Sequence, residues 1–346
     1  MDQSMIVTYL RSSSVSSFSW CQHKYWLQYN LGLQEEANKK AQKGNVVHKA
    51  LELLANKKLC LQNKEVEFKD VELDKIFNVS ELSPDTAIKY AFDFYKDKST
   101  HEWTDIDFKE CTKWLWDVLL FNDGMFSPLT RNIVMPEQYF DIEIKKDWAK
   151  YEYKLDNNET ITGNLRIKGT MDLITRVGDK AIEYVDWKTG ERKNWSTGKE
   201  KSYDDFYNDF QLRLYHYALN ELYPNEDMII MTIFFVKSGG PFSLCFHKED
   251  IAETEQMIKR EFEKIKYCQH PARIIDYGKD KWKCERLCRF YKEKHHEDEN
   301  KNICTYLHEE LIQLGIKKAY LKHANRKTVS SYGDGGGQSD RENKND

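Results

Sequence analysis

Ile167-Lys-Gly169-Thr-Met-Asp172-Leu-Ile-Thr-Arg-Val-Gly178-Asp179-Lys-Ala-Ile-Glu-Tyr-Val-Asp186-Trp187-Lys188-Thr-Gly190 is the stretch that decides how this chain is read. Two short apolar runs flank a Gly178-Asp179 turn, so the segment is expected to fold as a β-hairpin. Each run carries a carboxylate toward its end, and Lys188 follows the second by two residues. Strand side chains alternate between faces, so Asp186 and Lys188 point the same way. Asp172 and Asp186 are centred on residue 179, and a three-residue loop at 178–180 sets them opposite each other on one face. Like charges opposite each other destabilise a sheet unless something neutralises them. A divalent cation does so, because hard cations prefer oxygen ligands. Two carboxylates, a cation and a lysine make a centre that cleaves phosphodiesters. Asp-x-Lys alone also fits a solvated strand face. Charges entering an otherwise apolar strand, however, need a partner or a function.

The rest of the chain bounds this reading. Its 346 residues suffice for one large domain with insertions or for two small ones. Charged residues make up 32 % and the mean hydropathy is −0.77, yet aromatics reach 13 %, which argues against general disorder. The net charge of −4 excludes a uniformly basic nucleic-acid binder but not a local basic patch. No apolar run approaches a membrane span, and Met1–Tyr9 lacks the basic-then-apolar pattern of a secretory signal. A cytoplasmic protein with no membrane partner is expected, its eight cysteines reduced or metal-bound.

Working outward, residues 12–30 open on serine cap candidates and continue as an aromatic-rich helix. A second helix at about 41–56 carries Val46, Val47, Ala50, Leu51, Leu53 and Leu54 on its apolar face. Residues 57–130 read as a mainly helical insertion packed on the core. Strands begin near 137, followed by the hairpin, a helix at 203–222 ended by Pro224, an apolar strand at 228–236, a strand at 242–247 and a helix at 249–267. This order gives an α/β fold around a central mixed sheet. Residues 324–346 have the composition of a disordered tail.

Other residues add chemistry. His48 lies on the second helix, on a face that can look toward the sheet, where a neutral imidazole would complete a cation's shell; a solvated histidine is the alternative. Glu52, one turn on, would support it from behind. Gln211 and Tyr215 are spaced i, i+4 and share a helical face, either as a polar pair at the rim of the site or as a packed tyrosine beside a surface glutamine. Cys284, Cys288 and Cys304 cluster late in the chain, which suits an iron–sulfur cluster or zinc, with unrelated thiols as the alternative. Cys60, Cys111, Cys245 and Cys268 read as ordinary cysteines, Cys245 as a buried one in an apolar strand. Arg192, Lys193, Lys199 and Lys201, with Trp195 among them, suit phosphate gripping and base stacking, or simply a solvated loop.

Taken together these motifs resemble the PD-(D/E)XK nucleases of the RecB-like branch, in particular the CRISPR-associated and phage exonucleases that carry an iron–sulfur cluster. Gly44-x-x-x-His48 resembles the first motif, Gly169-Thr-Met-Asp172 the Gly-x-x-Asp motif, Asp186-Trp187-Lys188 the (D/E)-x-K motif, and Gln211-x-x-x-Tyr215 the motif that marks the branch. Ser16-Ser-Phe-Ser-Trp-Cys21 resembles the amino-terminal cysteine segment. The resemblance covers about residues 10–310. It implies a restriction-endonuclease-like core within a nuclease domain at 1–320, with the helical insertion at 57–130 and a cysteine-rich part at 270–310 packing on the amino terminus. It also implies Mg²⁺ or Mn²⁺ held by His48, Asp172, Asp186 and the Trp187 carbonyl. Catalysis would rest on Asp172, Asp186, Lys188, Gln211 and Tyr215. A 4Fe–4S cluster on Cys21, Cys284, Cys288 and Cys304 is implied, with Zn²⁺ as runner-up because the usual Cys-x-x-Cys is here Cys284-x-x-x-Cys288. The implied activity is that of a DNA exonuclease in recombination, repair or phage DNA processing, acting on DNA with a free end or a single strand. No G-x-x-x-x-G-K-[ST] is present, so a helicase would be a separate partner. The alternative is a non-catalytic or partner-dependent DNA-end-binding subunit of a recombination or CRISPR-adaptation complex.

Overall fold

In the computed structural model the described residues are 4–35, 37–194, 197–278 and 280–325. The expected tail lies almost wholly outside them, as does Trp195. Along the chain, β1 (Tyr9–Leu10) leads into α1 (Ser12–Trp20) and α2 (Gln22–Tyr25), which continues as a π-helical turn, Trp26–Asn30. The long helix α3 (Lys39–Asn63) starts at Asn38, whose side chain accepts from the Ala41 N–H at 3.0 Å, and ends at Lys64 in the left-handed region (φ 62°). The stretch expected to be mainly helical then opens with a hairpin, β2 (Glu67–Asp70) and β3 (Lys75–Asn78). Its two helices follow: α4 (Pro84–Lys98), with a Ser83–Thr86 capping box, and α5 (Asp105–Leu120).

Next come β4 (Ile133–Glu143), a hairpin of β5 (Lys150–Lys154) and β6 (Thr160–Asn164), then β7 (Arg166–Gly178) and β8 (Ala181–Lys188). The single helix expected at 203–222 is two, α6 (Tyr203–Tyr207) and α7 (Phe210–Leu222). The break falls where Asp209 turns its carboxylate onto the N–H groups of Gln211 and Leu212 to start the second helix. The chain continues through β9 (Met228–Phe235), β10 (Gly240–His247), α8 (Ile251–Lys266), α9 (Lys281–Leu287), α10 (Arg289–Lys292), the short β11 (Lys294–His295) and β12 (Asp298–Asn302), α11 (Ile303–Leu314) and α12 (Ile316–His323).

The described residues form two compact units. One takes in the described parts of Met1–Glu36, Asp141–Gly169 and Glu253–Asp346; the other is Ala37–Phe140 with Thr170–Ala252. The second unit carries the mixed sheet. Within it β7 and β8 are antiparallel, β8 and β9 parallel, β9 and β10 antiparallel, and β4 pairs with β7. Leu173, Val185, Trp187 and Phe234 join Val47, Leu51 and Leu54 of α3 and Trp114 and Leu115 of α5 in one apolar core. On the opposite face, Tyr184 meets Tyr215 of α7 edge-on at 5.2 Å and Phe246 stacks on His216 at 4.8 Å. The sheet is thus covered by helices on both sides, and β8 is buried along nearly its whole length, as its apolar run requires. Cys245 corrects an expectation: it is exposed, because alternation on β10 sends Leu244 and Phe246 inward and Cys245 outward.

The first unit has its own small core of Ile6, Tyr153, Leu155 and Tyr320. It also ties the early and late parts of the chain together. The Gln22 side-chain carbonyl accepts from Ala272 N–H at 3.0 Å, His23 N–H donates to the Ala272 carbonyl, the His23 ring meets the Cys304 carbonyl, and Glu35 accepts from Arg289 N–H.

Candidate active site

The β7–β8 hairpin has the register the sequence implies, reached by a different turn. Leu173 pairs with Val185 and Arg176 with Ile182; a bulge at Val177 then brings Gly178 opposite Ala181 around a two-residue turn, Asp179-Lys180. The extra bulge residue compensates for the shorter turn, so the carboxylates keep the spacing expected of a three-residue loop. Ladder pairing stops at Leu173, and one residue earlier the Asp172 carboxylate Oδ2 itself accepts the Trp187 N–H at 2.9 Å.

Asp172 Oδ2 also lies 3.2 Å from His48 Nδ1. Burial works against the His48 imidazolium, but the Asp172 charge outweighs it and raises the histidine above its ordinary value. Burial likewise opposes the Asp172 carboxylate, which His48, Lys188 and the Trp187 N–H nevertheless hold below the usual range. Gly44 explains how α3 comes so close: a Cβ there would meet Thr189 Oγ1 at 2.8 Å, so only glycine lets the helix pass the end of β8 one turn before His48.

Glu137 is the third member of this group and is absent from the sequence reading. Its carboxylate, His48 and Asp172 offer ligand atoms within 4.8 Å of one another. It sits on β4 at a left-handed φ of 45°, a rare conformation for a non-glycine residue, next to Pro136. Burial, then the charges of Asp172 and Glu52, push it well above the ordinary carboxylate range. Two part-buried carboxylates and an imidazole sharing one small space suit a hard divalent cation.

Asp186 lies beside this trio. Its Oδ1 accepts from Tyr184 O–H at 3.0 Å, Lys188 Nζ at 3.0 Å and Gln211 Nε2 at 3.2 Å. Its Oδ2 has the Lys188 ammonium at 2.8 Å but, among the described residues, no well-formed hydrogen bond. Burial, only partly offset by Lys188, raises Asp186. Lys188 is held charged against burial by Asp186 and Asp172, and its Nζ also reaches Gln211 Oε1 at 3.4 Å. Gln211 therefore touches both Asp186 and Lys188. Tyr215 is not at the rim; it is buried, and its hydroxyl donates to the Thr170 carbonyl at 3.0 Å, bracing β7 two residues before Asp172. Tyr184 was also missed, though its place two residues before Asp186 on the same face was a usable signal.

Glu52 does not back His48 as expected. It is taken up by Lys49 at 2.5 Å, which also pairs with Glu72 at 2.7 Å and Asp70 at 3.3 Å. Of the basic loop, Arg192 is spent on Glu200 and Lys193 on Glu191.

A family model described as the PD-(D/E)XK nuclease superfamily matches residues 12–292. The chain belongs to this superfamily. As a PD-(D/E)XK protein it is a nuclease, a hydrolase of α/β type whose mixed sheet and flanking helices agree with the restriction-endonuclease-like fold. One similar crystal structure, of a candidate exonuclease from Eubacterium rectale, is 11 % identical over 78 % of this chain and 85 % of that one, with a TM-score of 0.45. No curated protein matches the chain. Among the described residues of this nuclease no helix is long and apolar enough to cross a membrane.

The cysteines form a second group, within the other unit. Cys21, Cys284, Cys288 and Cys304 are all buried. Burial raises Cys284, pushes Cys288 up to about 11 and raises Cys304 strongly, and the charges of the other three add to the effect on Cys304.

Proposed function

We propose that the chain is a metal-dependent deoxyribonuclease, acting as an exonuclease on DNA with a free end. The observation that carries this is the convergence of His48, Glu137 and Asp172 on one small space, with Asp186 and Lys188 at its edge. His48, Glu137 and Asp172 would hold Mg²⁺ or Mn²⁺, with Asp186 and the Trp187 carbonyl as the further donors that the family resemblance implies. Such a cation supplies Lewis-acid polarisation of the scissile phosphate and a lowered pKa for water. The protein's own groups do the rest. Lys188, kept protonated by Asp186 and Asp172, presents positive charge where the phosphate gains negative charge. Tyr184 and Gln211 fix Asp186, and Tyr215 acts through the β7 backbone. Asp172 is locked by the Trp187 N–H and His48.

At the cysteines an iron–sulfur cluster is the favoured occupant. Beyond burial, the neighbouring Cys288, Cys21 and Cys284 each add to the rise of Cys304. Among the described residues, however, no three of these Sγ atoms lie within 4.8 Å of one another. A zinc tetrahedron with Zn–S bonds of about 2.3 Å needs a tighter set. Held there, a cluster would fasten the amino-terminal segment to α9–α11 inside the first unit. A cytoplasmic setting, with any helicase supplied by a partner, and a role in recombination, repair or phage DNA processing complete the reading.

The test is digestion of end-labelled linear and circular DNA, single- and double-stranded, with Mg²⁺, Mn²⁺ or EDTA. Hydrolysis from ends, lost in EDTA and in Asp186→Asn and Lys188→Ala, is expected; wild-type rates in either variant would remove the assigned site. Protein purified without oxygen should be brown and contain iron. Colourless protein with stoichiometric zinc would overturn the cluster.

A further inference from the structure

A groove of about 440 Å³ leads away from Lys188 and Gln211, walled by Lys40 at the start of α3 and Lys201 before α6. Among the described residues neither Lys40 nor Lys201 has an ion pair, in contrast to Arg192 and Lys193 of the same basic loop. Both carboxylates that line the groove are engaged. Glu191 pairs with Lys193 at 3.0 Å, and Asp209 is turned onto the first N–H groups of α7. Beside Lys188, which Asp186 holds, the groove is therefore lined by two ammonium groups outside ion pairs among the described residues, Lys40 and Lys201, the latter over the Phe206 ring at 5.5 Å.

An aromatic column stands beside it. Tyr203, two residues beyond Lys201, is half exposed and stacks on Tyr207 with centroids 5.8 Å apart and planes 15° apart. Tyr207 in turn stacks on Phe246 at 5.6 Å and 3°, and the Arg213 guanidinium lies 4.0 Å over its ring. Buried layers below thus hold flat a ring whose outer face is open to solvent. Phe206, on the same side of α6 by its i, i+3 spacing, lines the groove.

We propose that this groove binds the phosphates that flank the scissile one on a single DNA strand, through Lys40 and Lys201, with a base of that strand stacked on Tyr203. This rests on the nuclease reading of Lys188 given above. Cationic side chains grip phosphates without regard to sequence, and an exposed aromatic accepts any base by its π-face. A base inside a duplex already has both faces stacked, so the column selects unpaired strand. The groove thereby commits the enzyme to single-stranded substrate, or to a frayed end, at the point of cleavage.

The experiment measures anisotropy of end-labelled single- and double-stranded DNA of equal length, in EDTA and across a salt series, beside cleavage in Mg²⁺. Lys40→Met with Lys201→Met should weaken single-strand binding about tenfold and reduce the slope of log K against log salt by about 1.4, since each phosphate contact on a single strand contributes about 0.7. Tyr203→Leu should weaken binding by a similar factor and leave the slope in place, because stacking releases no counterions. Wild-type protein that prefers duplex, or variants that keep wild-type affinity and slope while the wild type cleaves, would overturn the groove alone. Wild-type protein that neither binds nor cleaves any DNA would overturn the nuclease reading beneath it.

Discussion

Two acidic clusters flank α3 within a single turn of each other, and they are neutralised in opposite ways. In one, Glu52, Asp70 and Glu72 surround Lys49, an ammonium built into the chain and buried together with Glu52 and Asp70. In the other, Glu137, Asp172 and His48 bring their ligand atoms within 4.8 Å of one another. The first is a permanent structural joint that ties the β2–β3 hairpin to α3. The second offers two carboxylates and an imidazole that would suit an exchangeable cation, which on the proposal above makes it a site and not a strut. Burial raises Glu52 and Glu137 alike; Lys49 opposes the rise in both, but it touches only Glu52, at 2.5 Å, of the two.

Four experiments sharpen or break this contrast. The largest effect is expected from Glu137→Gln. It should cut hydrolysis by about 10³-fold, on the scale of losing an electrostatic group that acts on the transition state. It should also abolish the rise in melting temperature that Mg²⁺ or Mn²⁺ gives the wild type, a linkage effect of about 2.7 kcal/mol at 100 times Kd. Retained activity and retained cation stabilisation would show that Glu137 is not part of the cation's shell. Lys49→Met should instead cost about 3–5 kcal/mol of folding stability in urea unfolding, as for any buried pair stripped of one partner. Added divalent cation should not restore it; restoration would mean that the two clusters are interchangeable.

The third is a pH experiment on cation-free protein. Glu137 is raised in the fold, so its contribution is fully present below the ordinary glutamate value of 4.5 and is lost as pH rises through the folded value. Glu137→Gln cannot lose a proton, so its stability should gain on the wild type as pH rises from 4.5. Parallel curves would count against a raised Glu137. The smallest effect is expected from Gly44→Ala. The added methyl meets Thr189 Oγ1 and should ease α3 and His48 away from Asp172, lowering activity about tenfold with a stability loss of about 1–3 kcal/mol. Wild-type cleavage would mean that His48 needs no such close approach.

Much of the site was legible because strand and helix periods are set by covalent geometry. Asp186 and Lys188 share a face by alternation, and the β7–β8 register followed from the symmetric spacing of Asp172 and Asp186 even though the turn did not. Gln211 and Tyr215 share a helical side, but whether a side chain at that spacing reaches the site or braces a strand depends on what lies opposite; Gln211 does the first and Tyr215 the second. The β2–β3 and β5–β6 hairpins escaped the reading because their strands are only 4 or 5 residues long, although β5, Lys150-Tyr151-Glu152-Tyr153-Lys154, does alternate aromatic and charged residues.

The sequence by itself determined the hairpin and the same-face Asp186 and Lys188, and offered His48 as a candidate, because local patterns of period two and 3.6 carry that information; Cys21 joined Cys284, Cys288 and Cys304 only through the family resemblance. Only the tertiary structure decided that Glu137, thirty-five residues before Asp172 and at a left-handed φ, comes together with His48 and Asp172. It also decided that Glu52 belongs to Lys49, and that, among the described residues, Arg192 and Lys193 are held in ion pairs while Lys40 and Lys201 are not. The reason is physical: which charges neutralise one another depends on distances across packed elements, and those distances are fixed only when the core closes.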